Sequence, residues 1–422
     1  METTTSRYEQ QPVQHYARAV RQHLPVAMFQ RTPVRLLWLP FHLGIIMAAA
    51  TYVVSAAPPW YLAVLSAVVA GHSWGCLGFL AHEAQHHALV KSPVVERLVG
   101  YCGFGIYFLS PALWTAWHNQ AHHGNTGKPV ADPDGFGTLR FWEKSSVVRA
   151  LEKVTPGSGS KRSAAFLFIW FSLHSALVLL FHSQRNNYYA RASRRVVYTE
   201  SAVMLAFWIA VFLLVGPWSF LFIYVLPVLV ANALLMSYIA TNHFLNPLTE
   251  VNDPLANTLS VTGPRWLEHL HLQFGYHVEH HLFPMMSGRH FPAVRDVVVR
   301  LYGDRYLSMS HARALHLLYT RPKLHGTHDT LIDPRTLVPL DKDLILESVR
   351  NTGRLVIVEE DNITGGWAGD LAAIVAEEAF YWLDAPIKRV SAPDAPAPFA
   401  PVLEKLYVPS VERVVQAVKA LF

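Results

Sequence analysis

The chain reads as a mainly α membrane protein, with four transmembrane helices in two hairpins, a cytosolic histidine-rich helical cap and a small C-terminal α/β segment. Three observations lead there. Long apolar runs alternate with short turns, three histidine clusters lie just beyond those runs, and the composition changes abruptly after about His325. The chain therefore divides into a cytosolic N-terminal segment over 1–35, a membrane domain holding the clusters over 36–325, and a soluble segment over 326–422.

From Leu36 to Ala57 the sequence is almost wholly apolar, and Trp60 to Leu80 repeats the pattern after Pro58-Pro59. Ser201 to Ile239 holds two more apolar segments, divided at Gly216-Pro217. Each run is about 16 to 22 residues, close to the ~20 that a helix needs to cross a hydrocarbon core of ~30 Å. A composition of 52% hydrophobic and 15% charged residues agrees. Two further apolar stretches, Leu98 to Leu109 and Ala164 to Phe181, need separate treatment. The first is too short to span. The second is long enough but carries His174, and crossing there would put the third histidine cluster on the opposite side from the first two, so it reads as interfacial or re-entrant.

Basic residues set the orientation. Arg18, Arg21, Arg31 and Arg35 precede the first span, Lys91, Arg97, Lys128, Arg140, Lys144, Arg149 and the run from Arg185 to Arg195 separate the second from the third, and Arg265 and Arg289 follow the fourth. The two short turns carry no charge, so the positive-inside rule puts both termini and all three clusters in the cytosol. The net charge of +5 resides in these loops and makes no case for nucleic acid. The first 35 residues lack the apolar core of a cleaved signal peptide. Cys76 and Cys102 both lie within apolar stretches, so neither a disulfide framework nor thiolate ligation of the histidine clusters is expected.

The clusters are His82-Glu83-Ala84-Gln85-His86-His87, His118-Asn119-Gln120-Ala121-His122-His123 and His277-Val278-Glu279-His280-His281. Imidazole is a common nitrogen ligand for redox metals, and this set holds too many ligands for one ion. Residues four apart share a helix face, so His82 pairs with His86, His118 with His122 and His277 with His281. Each remaining member of a double histidine points about 100° away, which lets one helix end serve two adjacent ions. His243, at the end of the fourth span, faces the same membrane side and joins the candidates.

Taken together, these features resemble the membrane-bound fatty acid desaturase family over roughly Leu36 to Pro292. The resemblance implies a centre of two iron ions that uses dioxygen to remove two hydrogens from an unactivated acyl chain. Electrons are then delivered by a ferredoxin or cytochrome b5-type donor. Carried over by position, the ligands are His82, His86, His87, His118, His122, His123, His243, His277, His280 and His281. Those are ten where relatives use about nine, so one of His86 and His87 stands outside the set. Some relatives carry an asparagine where Ile239 stands, with Asn242 as a substitute, and no His-Pro-Gly-Gly segment of a fused cytochrome b5 occurs. The donor is therefore a separate protein. The substrate is a lipid or acyl thioester, and spacing reports neither its head group nor the bond attacked.

The chemistry suits such ligation, because a methylene C–H bond resists acid–base catalysis and calls for a strong metal-based oxidant. Glu83 and Glu279 read as residues that hold imidazole tautomers, and Asp132 and Asp134, in Pro-Val-Ala-Asp-Pro-Asp-Gly, as turn formers. Two rival readings remain. A hydroxylase or ketolase shares the di-iron scaffold, and His82-Glu83-Ala84-Gln85-His86 matches the H-E-x-x-H signature of zinc endopeptidases, with Glu83 as base.

In the C-terminal segment, Thr330 to Asp341 reads as strand and turn, Leu355 to Glu360 as a buried parallel strand, Asp370 to Leu383 as an amphipathic helix, Ile387 to Val390 as a strand and Val411 to Phe422 as a terminal helix. Ile332-Asp333-Pro334-Arg335-Thr336-Leu337-Val338-Pro339-Leu340, Val358 to Gly366 and Ala385 to Val390 closely resemble the C-terminal domain of the beta subunit of branched-chain 2-oxo acid dehydrogenases. The resemblance implies subunit contacts, and it lacks both the thiamine-binding domain and the first strand and helix of that C-terminal domain. No decarboxylase activity is carried over, and the segment is either an interaction module or an accidental fusion.

Overall fold

Apolar runs of this length become helices because a helix satisfies its own backbone hydrogen bonds away from water. The computed structural model describes residues 10–128, 131–135, 146–158, 160–182, 192–320 and 331–421. The basic positions Arg140, Lys144 and 185–191, the start of the expected strand at Thr330, and the join Leu324-His325-Gly326-Thr327-His328 lie outside the described residues. The chain forms two units, Met1–Thr327 and His328–Phe422.

In the first unit, an amphipathic helix α1 (Val13–Arg21) precedes α2 (Trp38–Ala56) and α3 (Trp60–Gln85). Ala57, at φ 42°, and the two prolines after it turn the chain between α2 and α3. The outer part of α3 exposes Trp60, Tyr61, Leu65, Val68 and Val69, whereas every residue from Ser73 to His86 is buried. Next come α4 (Pro93–Phe104) and α5 (Pro111–Asn125), bent 97° from each other. Both start on a serine followed by proline, and the Ser92 and Ser110 hydroxyls accept from backbone N–H groups of the first turn. Over Thr115–His122, α5 widens to a π-helix.

After a short α6 (Ser146–Glu152) comes α7 (Lys161–Phe181), then α8 (Arg194–His243). At ~1.5 Å per residue, 50 residues are too long for one crossing, and α8 breaks at Gly216, whose φ of 76° and ψ of 168° are not helical. Ring pairs Phe212–Phe220 (5.2 Å) and Trp208–Tyr224 (4.5 Å) face each other across the break. The second arm lies so close to α3 that a Cβ on Gly71 would sit 2.6 Å from the Val230 side chain; a small residue is required there. Glu200 of the first arm bonds Arg97, Tyr101 and Ser110, tying α8 to the bend between α4 and α5.

Among the described residues, four helices are long and apolar enough to cross a membrane: Pro33–Ala56, α3, α7 and α8. That is the expected number reached by a different count, because α8 holds two of the expected spans and α7 corresponds to the stretch read from sequence as interfacial or re-entrant. Leu205, Phe207, Leu213 and Leu214 remain exposed, an outer surface suited to lipid.

The cap beyond α8 is built from β1 (Ser260–Thr262), α9 (His277–Leu282), α10 (Phe291–Tyr302), β2 (Ser308–Ser310) and α11 (His311–Thr320). The two strands pair in parallel, Val261 opposite Met309. Tyr16 and Val20 of α1 pack with Val278, Leu282 and Val294, and fully buried Asp253 accepts from Tyr16 Oη (3.0 Å) and Arg305 (2.8 Å), pinning the N-terminal segment onto the cap.

The second unit holds α12 (Lys342–Thr352), β3 (Val356–Asn362), α13 (Trp367–Glu378), β4 (Lys388–Ala392), α14 (Pro401–Tyr407) and α15 (Val411–Lys419). β3 and β4 pair in parallel, Val358 opposite Val390, over a core of Ile345, Val349, Ile357, Leu371 and Val375. The strand expected before Asp341 does not form over 331–341. Pro334 and Pro339 remove two backbone donors from it, although Ile332 and Leu340 still pack on the core. β3 is also only partly buried, with Val358, Glu360 and Asp361 exposed, because a two-stranded sheet covers less of it than a full parallel sheet would.

Candidate metal centre

The apolar helices deliver the histidines to one place. His82 lies in the last turn of α3, His118 and His122 lie on the π-helical part of α5 with His123 directly after it, His243 ends α8, and α9 carries His277, His280 and His281. The π segment explains how three residues of one cluster face the same centre: an i→i+5 turn sets positions four and five residues on from His118 astride it. The His118 ring lies 5.0 Å from that of His122 and 4.9 Å from that of His123.

The ligand atoms fall into two adjacent groups. His82, His86, His118, His123 and His280 each bring a nitrogen within 4.8 Å of the others, and His122, His243 and His281 form the second group. His277 joins the second, its Nε2 lying 2.8 Å from His243 Nε2. Equivalent close pairs in the first are His82–His118 at 3.1 Å and His123–His280 at 3.0 Å, all Nε2 to Nε2. Two nitrogens at right angles on one ion, each ~2.1 Å from it, are about 3.0 Å apart. The Nε2 atoms of His86, His122 and His281 are buried without any hydrogen-bond partner, a costly arrangement unless a cation accepts their lone pairs. Burial, reinforced by neighbouring imidazoles, holds His277, His280 and His281 well below the usual imidazole pKa, in the neutral form that binds metal.

His87 is the one candidate that the fold does not bring in. The α3 helix ends at Gln85, and His87 takes a left-handed backbone (φ 61°). Its half-exposed ring sits 2.8 Å from Glu96 instead of facing the other nine. The histidine next to it, His86, is the one that points inward.

The carboxylates also differ from the sequence expectation. Glu83 touches no imidazole: it accepts from Arg35 (2.8 Å), the Ser287 hydroxyl (2.5 Å) and the Gly288 N–H (3.0 Å), clamping α3 to the N-terminal segment and the cap. Glu279 likewise accepts from Ser260 (2.8 Å) and Tyr306 (2.5 Å). The acids that do orient imidazoles are those read as turn formers. Asp132 bonds His122 Nδ1 at 2.8 Å, while Asp134 lies 3.3 Å from His122 Nδ1 and 3.3 Å from His174 Nε2. Burial alone would raise the Asp134 pKa, but His122 and His174 hold it well below the usual carboxylate range. Thr126 Oγ1 supports His281 Nδ1 at 3.2 Å. The turn geometry is present as well, since Asp132 accepts from the Gly127 and Asp134 N–H groups; the loop composition was correctly read but its second use was not visible. With Glu83 saturated by three donors, no free base stands beside His82 and His86, and the zinc endopeptidase reading loses its general base.

A cavity opens beside both ligand groups, bordered by His82, His118 and His243 and otherwise mainly by apolar side chains such as Phe104, Trp170 and Leu235.

Comparison with known proteins gives two matches along the chain. Residues 314–414 match the transketolase C-terminal domain model. That end of the chain is similar to the acetoin:2,6-dichlorophenolindophenol oxidoreductase subunit beta of Bacillus subtilis, 48% identical over 90 residues, which are 21% of this chain and 26% of that protein. It is also similar to the pyruvate dehydrogenase E1 component subunit beta of Rickettsia felis, 55% identical over 89 residues, 21% of this chain and 27% of the relative. A third, the 2-oxoisovalerate dehydrogenase subunit beta of Bacillus subtilis, is 35% identical over 127 residues, covering 29% of this chain and 39% of its own length. The chain thus spans well under half the length of these curated relatives. The larger match, over residues 58–313, is to the family model for fatty acid desaturases, and with its histidines gathered as described the chain belongs to the fatty acid desaturase family.

Proposed function

We propose that the chain desaturates a fatty acyl chain, using dioxygen and a pair of iron ions held by nine histidines. The observation that carries this reading is the division of nine imidazoles into two groups, five and four strong, with ligand nitrogens about 3 Å apart and three of them otherwise unpartnered. An all-nitrogen donor set suits iron in an oxidising role, and thiolates play no part in either group. The ligands are His82, His86, His118, His123 and His280 for one ion and His122, His243, His277 and His281 for the other.

Iron bound there, with dioxygen, two electrons and two protons, supplies the oxidising power to turn CH2–CH2 into CH=CH and release two waters. The remaining work falls to the protein. Asp132 holds His122 by its Nδ1 and so directs Nε2 inward, and Thr126 does the same for His281. Phe104, Trp114, Trp170 and Phe171 give the cavity an apolar wall that accepts methylene groups and keeps water from the ligands. His82, His118, His243 and His277 border that cavity from both groups, which sets a bound chain against the whole centre. Electrons come from a separate ferredoxin or cytochrome b5-type donor, and the substrate is an acyl lipid or acyl thioester.

All ligand helices end at one place, which supports a centre on a single membrane face, and the basic residues flanking the apolar runs favour the cytosol for that face and for both termini. The two arms of α8 face each other across the break at Gly216, which supports an α7 that enters and leaves on that same side. Alternatively α7 would cross and separate His243 from His82. The second unit stands outside the chemistry, as an interaction module or an accidental fusion.

The test is gas chromatography with mass spectrometry of lipids from cells expressing the full chain. A new double bond that depends on oxygen and disappears in His280→Ala supports the reading; a hydroxy or keto product in its place overturns the desaturase assignment while keeping the centre.

A further inference from the structure

A separate set of metal-binding side chains lies deeper in the bundle. His72 and Cys76 share one face of α3 one turn apart, and His271, from the segment after the short helix Arg265–Leu270, meets them there. His72 Nε2 and His271 Nε2 are 3.0 Å apart, and one ligand atom from each of the three residues lies within 4.8 Å of the others. Counting ~1.5 Å per residue along α3, His72 is about 15 Å from His82, so this set is distinct from the histidine centre.

We propose that His72, Cys76 and His271 bind a single copper(I) ion. Tyr238 carries the supporting contact: its hydroxyl lies 2.8 Å from His271 Nδ1, which leaves Nε2 free as the ligand atom. Thiolate with imidazole is a soft donor set, and copper(I) accepts three such ligands without a fourth. Charge selects the same ion. Copper(I) with one thiolate and two neutral imidazoles is neutral overall, whereas zinc(II) in that set leaves a net positive charge buried where Cys76 and His271 are almost wholly shielded from water. Both nitrogens of nearby His42 are also buried without a hydrogen-bond partner.

The experiment uses the full-length protein in detergent, titrated anaerobically with copper(I) in competition with a coloured chelator, followed by copper absorption-edge spectroscopy and iron analysis of the same samples. One equivalent of copper(I) is expected, with a mixed nitrogen and sulfur shell. Cys76→Ser should remove the sulfur scatterer, and His271→Gln should weaken copper binding at least tenfold, with iron content unchanged in both. Three results overturn the proposal: no copper at one equivalent, copper that Cys76→Ser leaves unaltered in its ligand shell, or a preference for zinc over copper(I) at this site. Iron lost together with copper in both variants also counts against it, since it would show the three residues to be part of the fold of the histidine centre.

Discussion

Two adjacent histidines offer a sharp perturbation, because His86 and His87 differ in everything except residue type. His86 Nε2 is buried and unpartnered among the ligands, while the His87 ring is 50% exposed and bonded to Glu96. His86→Ala removes one of five nitrogens from the first group, so iron per chain should fall and turnover should drop by more than the ~10–100-fold typical of losing an outer support residue. His87→Ala leaves both groups intact. It strips the buried Glu96 carboxylate of its partner, a loss of ~1–3 kcal/mol, and the exposure of the ring puts the expected figure near the lower end. His87→Gln keeps a donor within reach of Glu96 and should recover most of that stability. The assay is iron content, oxygen-dependent product formation and thermal midpoint on the three purified variants. If His87→Ala loses iron while His86→Ala keeps it, the assignment of ligand and bystander is reversed and the geometry argued above is wrong.

Asp132→Asn should lower metal affinity or turnover by ~10–100-fold while the fold persists, read by iron retention during chelator dialysis; an unchanged off-rate would remove Asp132 from the support of His122. Glu83→Gln should act on stability, since breaking the buried Arg35 pair typically costs ~3–5 kcal/mol, and a variant that keeps its thermal midpoint but loses activity would return Glu83 to a chemical role. Cysteines placed at Ser158 and Ser193 should be labelled from the same face of oriented vesicles; labelling from opposite faces would mean that α7 crosses. A chain ending at Thr327 should form double bonds at near the full-length rate per iron, and normal iron loading without product would assign the second unit a part in electron delivery.

The centre was legible because helix periodicity and histidine spacing act together: apolar runs fix where a helix ends, and residues four apart must share its face. Spacing could not separate His86 from His87, since the choice depends on where α3 stops and on the left-handed turn that follows. Nor could it show the π-helical widening of α5, which depends on how that helix packs. Asp132 and Asp134 were hidden by a second, sufficient explanation, because Pro-Asp-Gly sequences form turns with or without a histidine to orient. Glu83 misled in the opposite sense. Its place inside an H-E-x-x-H string suggests a role beside the metal, but residue 83 falls on the other side of α3 and meets Arg35, 48 positions earlier. The His72, Cys76 and His271 set joins residues nearly 200 positions apart, and no local pattern announces it. In the second unit β3, α13 and β4 followed from apolar and amphipathic runs bounded by turn residues, whereas the segment before Asp341 needed knowledge of whether a neighbouring strand was there to pair with.

The most direct test of the central claim is the metal content and Mössbauer spectrum of full-length protein purified from cells grown with iron-57. Two irons per chain in nitrogen-rich sites, coupled to each other in the oxidised state, are the expected result. A single iron, two uncoupled irons, or stoichiometric zinc in protein that still forms double bonds would contradict it.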